Sequence, residues 1–240
     1  MTTGGEWSGE SASVPAIRAV AALDDDLRRR MYTYCRQAAR PVTRDEAAAH
    51  VGISRKLAAF HLDKLVDAGL LRAHYAQVGG IRRVGRAPKV YEPTDDPVRI
   101  NIPERRHDLL ADLLLQAVVE DRSDEPAAAG AVRVARDRGT ELGAEERARG
   151  RLGRLGAERA LTVAQAVLSR HGFEPHREGR TSVRLRNCPF HPMAGQAPAL
   201  VCGLNRAYLA GMVEGLDADD GVAAELAPRP GECCVELRAT

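Results

Sequence analysis

The strongest constraint in this sequence is the order of helix start and stop signals between Asp24 and Pro93. Asp24-Asp25-Asp26 opens a first helix, because carboxylates are favoured at the positive N-terminal end of the helix dipole. Leu27, Met31, Tyr34 and Cys35 follow at helical spacing, and Pro41 bars continuation. Cys35 on that stripe reads as a small buried hydrophobe. Thr43-Arg44-Asp45-Glu46 forms a capping box, in which a hydroxyl and a carboxylate three residues apart satisfy orphan amides reciprocally. Its helix is short, since Gly52 follows His50-Val51. Ser54 caps a third helix through Leu57, Phe60, His61, Leu62, Leu65 and Val66, and Gly69 ends it. Leu70 to Tyr75 then reads as a strand, Gly79 to Pro88 as a glycine-bearing turn, and Lys89 to Glu92 as the returning strand.

Helix, short helix, glycine turn, helix and basic hairpin is the order of a winged helix-turn-helix, expected over 23–100. Charge agrees with that reading. Ser54 to Pro93 holds eight basic residues against three acidic ones in a chain whose net charge is only +2, which points to a polyanionic partner for this segment. The start of the third helix would face base edges in a major groove with Ser54, Arg55 and Lys56, and Ala58 and Ala59 are small enough for close approach. His61 on the same helix and Lys89 on the returning strand complete the candidate set. Arg82, Arg83 and Arg86 at the hairpin tip suit phosphates or a minor groove. Gly52-Ile53-Ser54-Arg55, His61-Leu62-Asp63-Lys64-Leu65 and Ala68-Gly69-Leu70-Leu71 resemble the winged-helix repressors of the ArsR-like class. Gly85-Arg86-Ala87-Pro88-Lys89-Val90-Tyr91 is similar to the wing of bacterial regulators in that class.

Outside this unit, residues 1–22 are rich in Gly, Ser and Thr and are expected to form a disordered tail. Residues 101–156 are expected to be a helical linker and dimerisation segment. Leu109, Leu110, Leu113, Leu114, Leu115, Val118 and Val119 give its first helix an apolar face broad enough for a homodimer seam on a two-fold DNA site, or for a core helix of the second domain. From Asp121 to Gly156, glycines are expected to interrupt any long helix and leave a loosely packed connector. Residues 157–240 read as a small α+β domain: a helix over 157–170, a strand near Thr181 to Arg186 with Val183 and Leu185 on one face, then a further helix and strand. The fold class is therefore α+β, a winged helix-turn-helix joined by a helical segment to a cysteine-containing C-terminal domain. No apolar run approaches the ~18–20 residues of a membrane span, and the N-terminus has no basic start followed by an apolar stretch, so a cytoplasmic protein is expected.

Four of the five cysteines fall in the last quarter of the chain: Cys188, Cys202, Cys233 and Cys234. An odd count in such a chain points to reduced thiols and metal chemistry rather than a disulfide scaffold. Each sits at the edge of an expected element, where a loop can turn thiols toward one point. Thiolates are the soft ligands that iron–sulfur clusters and zinc select. Cys188 and His191 have a C-x-x-H spacing that can chelate one metal. Cys233 and Cys234 open the last strand, so alternation puts Cys233 inward with Val235 and Leu237, and Cys234 with Glu232 and Glu236. Cys233 is the expected ligand of the pair; Cys234 and His191 are secondary candidates. A winged helix followed by Cys-Pro at a strand end, a cysteine near a helix start and a late Gly-x-Cys resembles the SufR-like iron–sulfur repressors. That resemblance implies a cluster held by Cys188, Cys202 and Cys233. Spacings here are C-x13-C-x30-C, and the doubled Cys233-Cys234 departs from the pattern.

The sequence thus reads as a DNA-binding regulator, a homodimeric repressor sensing redox or iron–sulfur status. A zinc site, a thiol redox sensor, plain packing of the cysteines, and an apolar effector pocket are the alternatives. No phosphate loop, nucleophile elbow or paired acid–base carboxylates suggest an enzyme.

Overall fold

The computed structural model describes residues 13–76, 87–120, 122 and 124–240. It divides into two units with the boundary between Ile100 and Asn101. The first holds helices α1 (Ser13–Ala22), α2 (Asp26–Ala38), α3 (Arg44–Val51) and α4 (Arg55–Asp67), with strands β1 (Val42–Thr43), β2 (Leu71–Tyr75) and β3 (Lys89–Pro93). The strands pair antiparallel in the order β1-β3-β2, with Tyr91 opposite both Val42 and Ala73.

Local chemistry accounts for the boundaries. The Asp25 carboxylate accepts from the Arg28 amide at 2.9 Å. Thr43 and Glu46 form the capping box, with the Thr43 amide donating to Glu46 Oε2 at 2.8 Å and the Glu46 amide to Thr43 Oγ1 at 3.2 Å. Gly52 stops α3 at φ +80°, a conformation that costs glycine nothing. Met31, Cys35, Ala58, Leu62, Leu65, Leu71 and Tyr91 close the core. Burial pushes the Cys35 thiol up to about 11, as a packed cysteine requires.

The expected tail is corrected over Ser13–Ala22, which is helical. Ala16 and Ala19 are buried. A face made of alanines carries little hydrophobic signal in the sequence, yet it lets a helix approach closely. Residues 1–12 lie outside the described set.

The second unit holds α5 (His107–Val119), α6 (Ala127–Gly150), α7 (Ala157–Arg170), α8 (Met193–Gln196) and α9 (Pro198–Gly215), with β4 (Pro175–Glu178), β5 (Ser182–Leu185), β6 (Val222–Leu226) and β7 (Val235–Ala239). Its antiparallel sheet runs β4-β5-β7-β6. Val183, Leu185, Val222, Val235 and Leu237 turn one face into the core, which also takes Leu161, Leu168, Leu204 and Met212. On the opposite face Arg184 stands across from Glu236 and is fully buried.

The glycine-interrupted connector is also corrected. Residues 127–150 form one 24-residue helix that belongs to the core of this unit. A Cβ on Gly139 would lie 2.0 Å from the Tyr208 carbonyl oxygen, and one on Gly143 2.2 Å from that of Met212. Reciprocally, a Cβ on Gly211 would lie 2.0 Å from the Arg136 carbonyl oxygen and one on Gly215 2.2 Å from that of Thr140. Two glycines at i, i+4 on each helix remove the side chains from a single stripe and bring the backbones of α6 and α9 into contact. Each glycine costs about 1 kcal/mol of helix propensity, which the close packing offsets. Of the expected seam, Leu109, Leu110 and Leu113 are buried in this core, whereas Leu114, Leu115, Val118 and Val119 point outward.

Candidate functional site

The α4 helix begins at Ser54, whose hydroxyl accepts from the Leu57 amide at 3.2 Å. Arg55 and Lys56 follow in the first turn and are exposed. Arg55 Nε lies 3.4 Å from Asp45 Oδ1 of α3, an exposed pair weak enough to yield to another anion. Ala59 is half-buried, but Ala58 is fully buried and supports the core. His61 is corrected: it is only 7% exposed, on the inward side of α4 beside Leu62 and Leu65, so its ring does not face a groove. Lys89 is corrected too. Its Nζ donates to Asp63 Oδ1 at 2.7 Å, and the Tyr91 hydroxyl donates to the same oxygen at 3.0 Å. Hydrogen bonding to Asp63 raises the Lys89 pKa. Lys89 thus ties β3 to α4 rather than offering a free charge. Arg82, Arg83 and Arg86 lie outside the described residues.

Phe60 was not among the expected contacts. It is 54% exposed on α4, and Leu57 is 40% exposed. Lys56, Phe60 and Lys64 share one row at i, i+4 and i+8, with the Lys64 ammonium 5.9 Å from the Phe60 ring centroid. The signal was present in the helical spacing: Ala58, His61, Leu62 and Leu65 already fill the inward face.

In the second unit, four cysteines from three stretches of chain come together. Cys188 follows β5, Cys202 lies inside α9, and Cys233 and Cys234 immediately precede β7. Cys233 interacts electrostatically with Cys188 and with Cys234, and Cys234 with Cys202. The thiols therefore form a chain in the order Cys188, Cys233, Cys234, Cys202. Two sequence expectations change here. Cys202 is in the second turn of α9, because Pro198 occupies the first helical position, where its missing N–H costs nothing. Cys233 and Cys234 precede the strand instead of opening it, so strict alternation does not separate them and both thiols join the chain. Cys233 is buried with Val235 and Leu237, as expected.

The surroundings are polar in a directed way. Asn205, one turn beyond Cys202 on α9 and 1% exposed, donates from Nδ2 to Cys233 Sγ at 3.2 Å. The Cys233 amide donates to the Leu185 carbonyl at 3.0 Å. Arg184 holds the approach to Cys233: its Nε donates to Glu232 at 2.6 Å, Nη1 to Glu236, and Nη2 to the Ala227 carbonyl at 2.8 Å. The Cys188 loop is fastened to the start of α5. Arg105 Nη1 donates to Asn187 Oδ1 at 3.1 Å and to the Cys188 carbonyl at 3.2 Å, and the Arg106 amide donates to the Pro189 carbonyl at 2.8 Å. His107 Nε2 lies 2.8 Å from the His191 carbonyl.

These interactions divide the thiols. The interaction with Cys233 holds Cys188 down at about 7 and Cys234 at about 6. Cys233, facing both, is pushed up, and burial pushes Cys202 up to about 12. Cys188 and Cys234 are thus the thiols that ionise most readily, and Cys202 and Cys233 hold their protons. The donor set suits a thiophilic metal. It is not a finished cage: among the described residues, no three His, Cys, Asp or Glu side chains are already grouped as for a metal ion. The His191 residue is exposed, and its turn directs the backbone, not the ring, onto Cys188 through an amide-to-carbonyl bond of 3.2 Å.

No helix among the described residues is long and apolar enough to cross a membrane. No curated protein and no solved structure matches the chain. Residues 23–74, from the turn before α2 to β2, match the family model of a helix-turn-helix domain, which supports a DNA-binding transcriptional regulator.

Proposed function

We propose that the chain is a homodimeric DNA-binding repressor whose second unit senses redox or iron status through an iron–sulfur cluster held by Cys188, Cys202 and Cys233, with Cys234 as a further ligand. The convergence of four of the five cysteines, which interact with one another across three stretches of chain, carries this reading. Such a cluster supplies one-electron chemistry and lability to oxidants. The residues of this chain do the rest. Asn205 presents an N–H to the Cys233 sulfur and favours its charged form. Arg184 fixes the segment before Cys233. Arg105 and the Arg106 amide link the Cys188 loop to the start of α5, a few residues along the chain from the unit boundary. A change at the cysteines therefore has a hydrogen-bonded route to the connecting chain, which would alter how the DNA-binding units are presented to a two-fold operator.

One observation favours zinc as the second reading. The four cysteines interact with one another, and thiolates are ligands that zinc takes as readily as iron does. Anaerobic purification with iron, sulfide and zinc analysis and a visible spectrum decides between them. Iron with acid-labile sulfide and charge-transfer colour is expected, removed or strongly reduced by Cys188→Ser, Cys202→Ser, Cys233→Ser or Cys234→Ser, and retained in Cys35→Ser. Stoichiometric zinc without sulfide would leave a zinc-structured regulator, and freely titratable thiols without metal would defeat both.

A further inference from the structure

The helix-turn-helix match and the basic start of α4 explain why this helix would enter a groove, but not what Phe60 does there. A benzyl side chain that is 54% exposed contributes little to the core of its unit. Its neighbours along the row are Lys56 and Lys64, so the face is basic at both ends and apolar in the middle. With a rise of 1.5 Å per residue, Phe60 lies about 7.5 Å beyond Arg55 and Lys64 about 13.5 Å beyond it. A major groove is about 12 Å wide. With the helix start against the bases, Phe60 therefore falls within the groove and Lys64 at its phosphate edge.

The chemistry then narrows the target. A phenyl ring has no hydrogen-bond donor or acceptor to match the polar base edges of the major groove. The apolar group on that surface is the 5-methyl of thymine. Lys56 and Lys64 can reach flanking phosphates, which position the helix without reading sequence. We infer that Phe60 is a specificity-determining residue that packs on the 5-methyl group of a thymine in each half-site, with Lys56 and Lys64 on the backbone to either side. This rests on the DNA-binding reading and adds to it the base that the helix selects.

The test uses the full chain and a library of random duplexes. Duplexes selected by the parent protein are remade with deoxyuridine replacing thymine at one position at a time, which deletes a single methyl group and leaves base pairing intact. Loss of one buried methyl contact should weaken the parent about fourfold at one thymine per half-site. Phe60→Ala should bind the thymine duplex more weakly and lose discrimination at that position, to within about 1.5-fold on the same scale. Phe60→Leu should keep part of it. Thermal melting of the variants should match the parent because the side chain is exposed, so a binding change cannot be assigned to unfolding. An equal methyl penalty in the parent and in Phe60→Ala, or no methyl-sensitive thymine in the parent, overturns the inference while leaving DNA binding in place. Failure of the parent to enrich any duplex overturns the DNA-binding reading and this inference together.

Discussion

Cys233 owes its place at the middle of the thiol chain to its neighbours on both sides. Its amide is bound to the end of β5, its sulfur accepts from Asn205, and the Arg184 clamp fixes the residue before it. The result is a division of protons that can be read chemically. In reduced, metal-free protein at pH 7, Cys234 is largely thiolate and Cys188 about half so, whereas Cys202 and Cys35 are protonated. An alkylating reagent should therefore label Cys234 and Cys188 first and Cys35 only after unfolding. Because protonation removes the nucleophile, the Cys234 rate should fall about tenfold from pH 7 to pH 5. Mass spectrometry of peptides after timed quenching reads this order, and early labelling of Cys202 would contradict it. The cysteines themselves were legible in the sequence, as their clustering and soft-ligand chemistry announce them. Asn205 and Arg184 were not, and Phe60 was signalled only by helical spacing. The meaning of Asn205 and Arg184 lies in contacts made across dozens of residues.

At the scale of elements, caps and glycine stops were readable because their chemistry is local. The Thr43–Glu46 box, the Ser54 cap and Gly52 stand where the residues demand. The elements misjudged are those built from small residues. Ala16 and Ala19 in α1, and Gly139, Gly143, Gly211 and Gly215 between α6 and α9, act by allowing approach rather than by contributing apolar area. Propensity counts the glycines as helix-weak, and only the partner helix supplies the compensation. The consequence is a sharp contrast between glycines. Gly139→Ala or Gly211→Ala sets a methyl against backbone and should cost about 3 kcal/mol or more, through forced separation of the helices. Gly203→Ala, also in α9 but with open space where the methyl would go, should gain up to about 1 kcal/mol. Urea denaturation of the three variants measures both signs, and a neutral Gly211→Ala would mean that the two helices are not in backbone contact.

The whole molecule must present two recognition helices if it reads a two-fold site, and the proposed homodimer would use the outer side of α5 for that. Its inner side, Leu109, Leu110 and Leu113, is spent on the core of the second unit. Its outer side carries Leu114, Leu115, Val118 and Val119, the last two 74% and 77% exposed. Apolar residues on both sides of one helix are why the sequence showed a face broader than one packing surface needs, and under the proposed homodimer the outer side would be the seam. Charged substitutions on the two sides should therefore fail differently. Leu113→Glu buries a carboxylate without a partner and should unfold the second unit. Leu115→Glu with Val118→Glu leaves the core intact and should give a folded monomer, because paired seams would meet like charge against like charge. Sedimentation with circular dichroism separates the outcomes. A folded monomer should also bind a half-site as the parent does and lose the gain from a second half-site, since that gain comes from linking two weak contacts at fixed spacing. An unchanged dimer from the double variant would take the seam away from α5, and an unchanged preference for paired half-sites in a proven monomer would separate operator symmetry from dimerisation altogether.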